Sequence, residues 1–268
     1  MSRTALAISP HLDDAAFSCG GTLATLADCG WDVAIVTVFT GSVPRPEGFA
    51  LACQLDKGLG PDVDYMALRR EEDRVACRAL GVGDTVWMPF LEAPHRGYAS
   101  ATALFAGMIS QDKVDEPISL ALAQLIAERR PEVIFAPQAV GGHVDHIQVV
   151  RGLQSAAPRL PTLWWTDFPY SVRLDTPLRP FDESLQHLPS VEIMLSGSAM
   201  SRKRDACLAY RSQIGFQFGG PDGLDGRLAR AGMGETFRID GDMPTELLNA
   251  SRRAAPAPHA GGSIATGQ

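Results

Sequence analysis

Short apolar runs recur along the chain, each closed by a polar turn and followed by a stretch of helical spacing. Ala5-Leu6-Ala7-Ile8, Val33 to Phe39, Thr85 to Phe90 and Val133 to Ala136 lack the strict alternation of a half-exposed strand. Unbroken runs of this kind mark strands covered on both faces. Between them, Ala15 to Gly30 sets Phe17, Leu23, Leu26 and Ala27 on one helical face and stops at a glycine suited to a C-terminal cap. A helix beginning near Arg69 turns Val75, Ala76, Ala79 and Leu80 inward, and Ile118 to Arg130 repeats the pattern. The rhythm predicts a βαβ chain folded around a mainly parallel sheet.

The connections are uneven. Residues 41–64 form a Pro- and Gly-rich loop, whereas 92–116, with His95-Arg96-Gly97-Tyr98, is long enough to read as an active-site loop or lid. Past residue 146, Thr162-Leu163-Trp164-Trp165 and Val191 to Leu195 are two further strands. Ser198 to Ile214 is a helix whose Arg202, Lys203 and Arg204 form a solvated face. Residues 1–250 constitute one domain, and 251–268, which run into Ala, Pro and Gly without periodicity, form a disordered tail.

Two turns carry the chemistry. Pro10-His11-Leu12-Asp13-Asp14 follows the first strand and Gly142-His143-Val144-Asp145-His146 follows the strand at Val133. A doubly wound sheet places its sites at the carboxyl ends of its strands. A nucleotide-binding turn there would be rich in glycine, and this one is anionic instead. His-x-x-Asp offers one nitrogen and one oxygen ligand of the kind zinc accepts. Asp and His also serve as caps and turn residues. Two clusters at matched strand ends favour a shared site, able to supply three ligands and a base.

Composition narrows the partners. The chain has 268 residues, 45% of them hydrophobic and 21% charged, enough for one sizeable core. A net charge of -7 provides no basic face for nucleic acid or an anionic membrane. The five cysteines are odd in number and form no C-x-x-C pair, which fits small buried hydrophobes in a reducing compartment. With no signal-peptide core and no apolar run near the roughly 18 residues of a membrane span, the expectation is a cytoplasmic protein without a transmembrane segment.

The chain resembles the PIG-L/LmbE family of zinc-dependent N-deacetylases, whose motifs are Pro-His-Pro-Asp-Asp and His-x-Asp-His. The matching residues are Pro10-His11-Leu12-Asp13-Asp14 and His143-Val144-Asp145-His146. Arg69-Arg70-Glu71-Glu72 resembles the family's Arg-x-x-Glu helix, and Tyr210-Arg211-Ser212-Gln213 its late Ser-Gln helix. Leu12 replaces a proline, and Gly141 stands where some members carry a tyrosine that helps the transition state.

The resemblance implies a Rossmann-like three-layer α/β sandwich and a hydrolase that removes an N-acyl group, acetyl in most members, from an amino sugar or related small conjugate. It implies His11, Asp14 and His146 as ligands of Zn2+, with Fe2+ or another divalent ion as an alternative. A zinc-bound water has its pKa lowered from 15.7 to around 7. Asp13 is then the general base, His143 in protonated form a donor to the oxyanion, and Asp145 the group that orients or charges a histidine. Arg69 is expected to reach the substrate rather than pair with Glu72, and Arg96 and Tyr98 to join it from the long loop. Alternatives are an amidase acting on a larger thiol-sugar conjugate or natural product, and a non-catalytic nucleotide- or SAM-binding module.

Overall fold

A computed structural model of the chain describes residues 3–157, 159–173 and 176–253. In chain order the elements are β1 (Thr4–Ser9), α1 (Asp14–Asp28), β2 (Asp32–Thr37), α2 (Gly48–Leu55), α3 (Tyr65–Leu80), β3 (Asp84–Trp87), α4 (Asp115–Arg129), β4 (Val133–Pro137) and α5 (Val144–Ala156). The second half adds β5 (Thr162–Trp165), α6 (Tyr170–Arg173), α7 (Asp182–Leu185), β6 (Ser190–Met194), α8 (Gly197–Ala209), α9 (Arg211–Phe218), α10 (Pro221–Ala231), β7 (Gly234–Asp240), α11 (Thr245–Leu248) and β8 (Ser251–Arg253).

The strands form one eight-stranded sheet in the order β3-β2-β1-β4-β5-β7-β6-β8. The first five run parallel; β7 joins β5 antiparallel, and β6 and β8 continue antiparallel. Period-two alternation divides the apolar runs between two cores. On one face Ala5, Ala7, Val33 and Ile35 pack with residues of α1, α3 and α8. On the other Leu6, Ile8, Ala34 and Val36 pack with α4 and α5. Each fully buried Leu or Ile stabilises this three-layer arrangement by about 1.5–3 kcal/mol. Because the chain leaves β1 toward β2 on one side and β4 toward β5 on the other, the strand order reverses between β1 and β4. A crevice opens at such a switch point.

Several expectations change. Residues 41–64 contain α2, and the third strand stops at Trp87. The helix over 198–214 is two helices, α8 and α9, that break at Tyr210, whose hydroxyl is drawn 2.7 Å from Asp73 Oδ1. The basic face also fails: Lys203 is buried and pairs with Glu235 at 2.7 Å, and Arg202 donates to Ala79 O at 3.0 Å. Glu235 lies at an inward position of β7, between the inward Phe237 and the turn, and its oxygens accept from Lys203 and from the backbone of Gly21 and Thr22 in α1. Ser251–Arg253, expected in the tail, instead pair with β6, and the rest of the expected tail, residues 254–268, lies outside the described residues. Among the described residues no helix is long and apolar enough to cross a membrane.

Candidate metal centre

The turn after β1 is built around one serine and one aspartate. Ser9 Oγ donates to His11 O at 2.7 Å and accepts from Ala15 N at 3.0 Å, which bends the chain into α1. Asp14 Oδ2 accepts from His11 N at 2.8 Å and lies 3.1 Å from His11 Nδ1. Across the switch point, the turn after β4 passes through Gly141 and Gly142, both at positive φ (100° and 79°), conformations that favour glycine. It ends at His143, the N-cap of α5, whose Nδ1 accepts from Asp145 N at 3.2 Å. His146, one turn further, brings Nε2 to 3.3 Å from Asp14 Oδ2.

His11, Asp14 and His146 thus offer one ligand atom each within 4.8 Å of one another. The arrangement fits a divalent cation by two features. His146 Nε2 is buried, faces Asp14 Oδ2 at 3.3 Å and makes no well-formed hydrogen bond, an unfavourable state for a ring nitrogen unless a cation takes its lone pair. The other nitrogen of each histidine meets a carboxylate: His146 Nδ1 lies 2.8 Å from Asp167 Oδ1, and His11 Nε2 lies 2.9 Å from Asp145 Oδ2. A carboxylate accepts only, so it fixes the tautomer that leaves His11 Nδ1 and His146 Nε2 free to bind, the usual support of metal-bound imidazoles. Burial alone would lower His146, yet Asp14 and Asp167 raise it to about 9, so protons and a cation compete for the same nitrogen.

Asp13, next to Asp14, faces elsewhere. Although it occupies the N-cap of α1, its side chain makes no capping bond. Arg69 Nη2 lies 3.3 Å from Oδ1, and Gln217 Nε2 donates to Oδ2 at 3.0 Å. Burial pushes the Asp13 carboxyl up to about 6 against the pull of Arg69. His143 is likewise buried, which lowers its pKa to about 3 although Asp145 opposes the shift. With Nδ1 accepting a backbone N–H, the neutral ring carries its proton on Nε2. His143, expected as a charged imidazolium, is thus held neutral by burial.

Residues 6–157 match the family described as GlcNAc-PI de-N-acetylase, PIG-L. The chain belongs to that family. It is 30% identical over 267 residues to a 2'-N-acetylparomamine deacetylase of Streptomyces fradiae, an alignment that covers 98% of this chain and 83% of that protein. Among solved structures it is similar to the antimicrobial reagent A40926 pseudoaglycone deacetylase, with a TM-score of 0.74, 30% identity and coverage of 88% and 96%. The zinc inhibited form of teicoplanin deacetylase gives a TM-score of 0.72 at 26% identity, with coverage of 94% and 99%.

The three residues expected at the substrate are turned inward. Arg69 is 3% exposed and is held by Glu92 Oε1 at 2.8 Å as well as by Asp13, while Glu72 instead accepts from Ser212. Arg96 is clamped by Asp112 and pairs with Asp145 Oδ1 at 2.8 Å. Tyr98 is 1% exposed, and its hydroxyl donates to Asp112 Oδ2 at 3.0 Å and accepts from Ile109 N. The long loop therefore braces the site from behind, because a buried guanidinium needs carboxylates and a buried phenol needs an acceptor. Sequence reasoning missed Asp167, Tyr170 and Gln217. Asp167 lies in the loop after β5, the third strand end at the crevice, and Tyr170 opens α6 directly after it; an acid beyond Trp165 was the available signal.

Proposed function

We propose that this protein hydrolyses the N-acetyl group of an amino sugar, with a divalent ion held by His11, Asp14 and His146. The observation that carries the reading is the divergence of two adjacent carboxylates. Asp14 faces the two imidazoles, and Asp13 faces Arg69 and Gln217. One group can therefore ligate while its neighbour handles protons.

A divalent ion bound there lowers the pKa of a water and polarises the amide carbonyl. Asp13 takes the proton of the attacking water, and the water oxygen bonds to the acetyl carbon. His143 Nε2–H donates to the oxyanion that forms on the former carbonyl. Asp13 then delivers its proton to the amine nitrogen as the C–N bond breaks, releasing acetate and a free amine. A carboxyl pushed toward 6 suits this double duty near neutral pH. Asp145 and Asp167 orient His11 and His146 and balance their charge.

The two-nitrogen, one-oxygen donor set fits zinc, and Fe2+ and other first-row ions share it. A relative recorded in a zinc inhibited form supports separating the ion bound on isolation, which we assign as zinc, from the ion that supports turnover. The paromamine and pseudoaglycone relatives support an amino sugar carried on a larger natural-product scaffold as the substrate. Two apolar side chains stand near the site for such a scaffold: Phe105, 5.2 Å from His143 between ring centroids, and Leu178 beside Gly142.

Metal analysis of purified protein, combined with acetate release from N-acetylglucosamine, 2'-N-acetylparomamine and an N-acetylglucosaminyl glycopeptide, tests the proposal. About one divalent ion per chain and turnover of at least one conjugate are expected. Full metal occupancy with no acetate from any of the three would remove this substrate class.

A further inference from the structure

The turn between β4 and α5 lacks a side chain at position 141, and another loop fills the space. A Cβ placed on Gly141 would stand 2.7 Å from Cγ and 2.8 Å from Cδ1 of Tyr170. The Tyr170 ring meets His146 edge to face, with centroids 5.8 Å apart at 89°, and meets Phe105 at 6.1 Å. Asp167, three residues earlier, binds His146 Nδ1, so one short segment after β5 sets both a ligand and a phenol.

Three other polar side chains around the crevice already have partners. Arg69 is held by Asp13 and Glu92, Arg96 by Asp112 and Asp145, and the Tyr98 hydroxyl by Asp112. Among the described residues the Tyr170 hydroxyl makes no hydrogen bond. An unpaired O–H on a ring packed edge to face against His146 is a donor for an acceptor that arrives with the reaction. A neutral donor to an anionic oxygen makes a strong, charge-assisted bond and adds no buried charge of its own. Donors of this kind act where charge develops in the transition state.

We propose that the Tyr170 hydroxyl donates a hydrogen bond to the oxyanion formed on the acetyl carbonyl, acting beside His143 Nε2–H and standing in for a side chain that Gly141 does not provide. The inference rests on the amide-hydrolase reading above and assigns the first residue of α6 to that reaction.

Tyr170→Phe tests it, because the ring packing on His146 and Gly141 is kept and one O–H is lost. With metal-loaded protein, kcat should fall about 10²-fold, the usual cost of removing one oxyanion donor, with KM and metal content nearly unchanged. A second arm needs no substrate: calorimetric binding of methylphosphonate, whose tetrahedral oxygens imitate the oxyanion, should weaken about tenfold in Tyr170→Phe. Unchanged kcat with unchanged methylphosphonate affinity would overturn the assignment. A rise in KM at constant kcat would also overturn it, since the bond would then be made equally in the ground state. If wild type releases no acetate from any N-acetylated conjugate, the substrate reading fails, and the methylphosphonate arm still decides the role of Tyr170.

Discussion

Gln217 Nε2 donates a 3.0 Å hydrogen bond to Asp13 Oδ2 across 204 residues of sequence. The bond depends on how α9 is fastened. Ser212 N and Oγ donate to Glu72 at 2.8 and 2.7 Å, Tyr210 donates to Asp73, and Gln213 Nε2 donates to Tyr65 Oη at 3.0 Å. The late helix is thus tied to α3, and its far end holds the group proposed as base. With Arg69 on the other oxygen, Asp13 has its orientation set from two sides. Gln217→Ala should therefore lower kcat about 10–100-fold through misplacement of the carboxylate, with metal content unchanged. Steady-state kinetics with metal analysis of the same samples checks this, and an unaltered kcat would free Asp13 from any dependence on α9.

The metal site makes a graded prediction. His146→Ala and Asp14→Ala each remove a ligand and should abolish stable occupancy. Asp167→Asn leaves all ligands and alters only the partner of His146 Nδ1, so affinity should drop about 10–100-fold. Competition against a chromogenic chelator measures all three variants. Full metal content in both ligand variants would sink the ligand assignment.

Asp13→Asn separates base from ligand. The amide keeps the shape and can still meet Gln217, yet it cannot take a proton, so turnover should fall about 10²–10⁴-fold while metal content persists. Wild-type turnover in this variant would move water activation to another group.

Much of this was readable from the chain, for physical reasons that also explain the gaps. Apolar runs covered on both faces announce parallel strands, and clusters of His and Asp at two strand ends announce a shared crevice, because side-chain chemistry and strand register are local properties. The strand at Gly234–Asp240 escaped notice because Glu235 occupies an inward position, and only its partners Lys203, Gly21 and Thr22, distant in sequence, make that carboxylate affordable. Lys203 was misread with it, as a solvated residue. Arg69, Arg96 and Tyr98 carry functional side chains in suggestive places, but their direction is decided by Glu92, Asp112 and Asp145, contacts that no periodicity encodes. Tyr170 could not be placed from sequence, since its relation to Gly141 exists only when the turns after β4 and β5 lie side by side.

A last prediction concerns stability and the carboxylate between α3 and α9. Asp73 is 1% exposed and accepts from Trp87 Nε1 at 2.8 Å and from Tyr210 Oη at 2.7 Å. Burial raises its pKa from 3.8 to about 6, and these two hydrogen bonds oppose the rise without cancelling it. The folded-state value lies above the unfolded one, so the protonated carboxyl favours folding. That contribution is complete below pH 4 and is lost as pH climbs through 6, because the folded chain must then bury a charge the unfolded chain keeps in water. A shift of this size corresponds to about 3 kcal/mol. Asp73→Asn holds a neutral group of the same shape at every pH: its oxygen can accept from Trp87 and its nitrogen can donate to the Tyr210 oxygen. Urea unfolding of both proteins at pH 4, 5.5 and 7 should show the variant gaining on wild type by up to about 3 kcal/mol across that interval. A difference that stays flat with pH would mean that Asp73 is ionised in the folded protein at all three values, and that Trp87 and Tyr210 offset its desolvation in full.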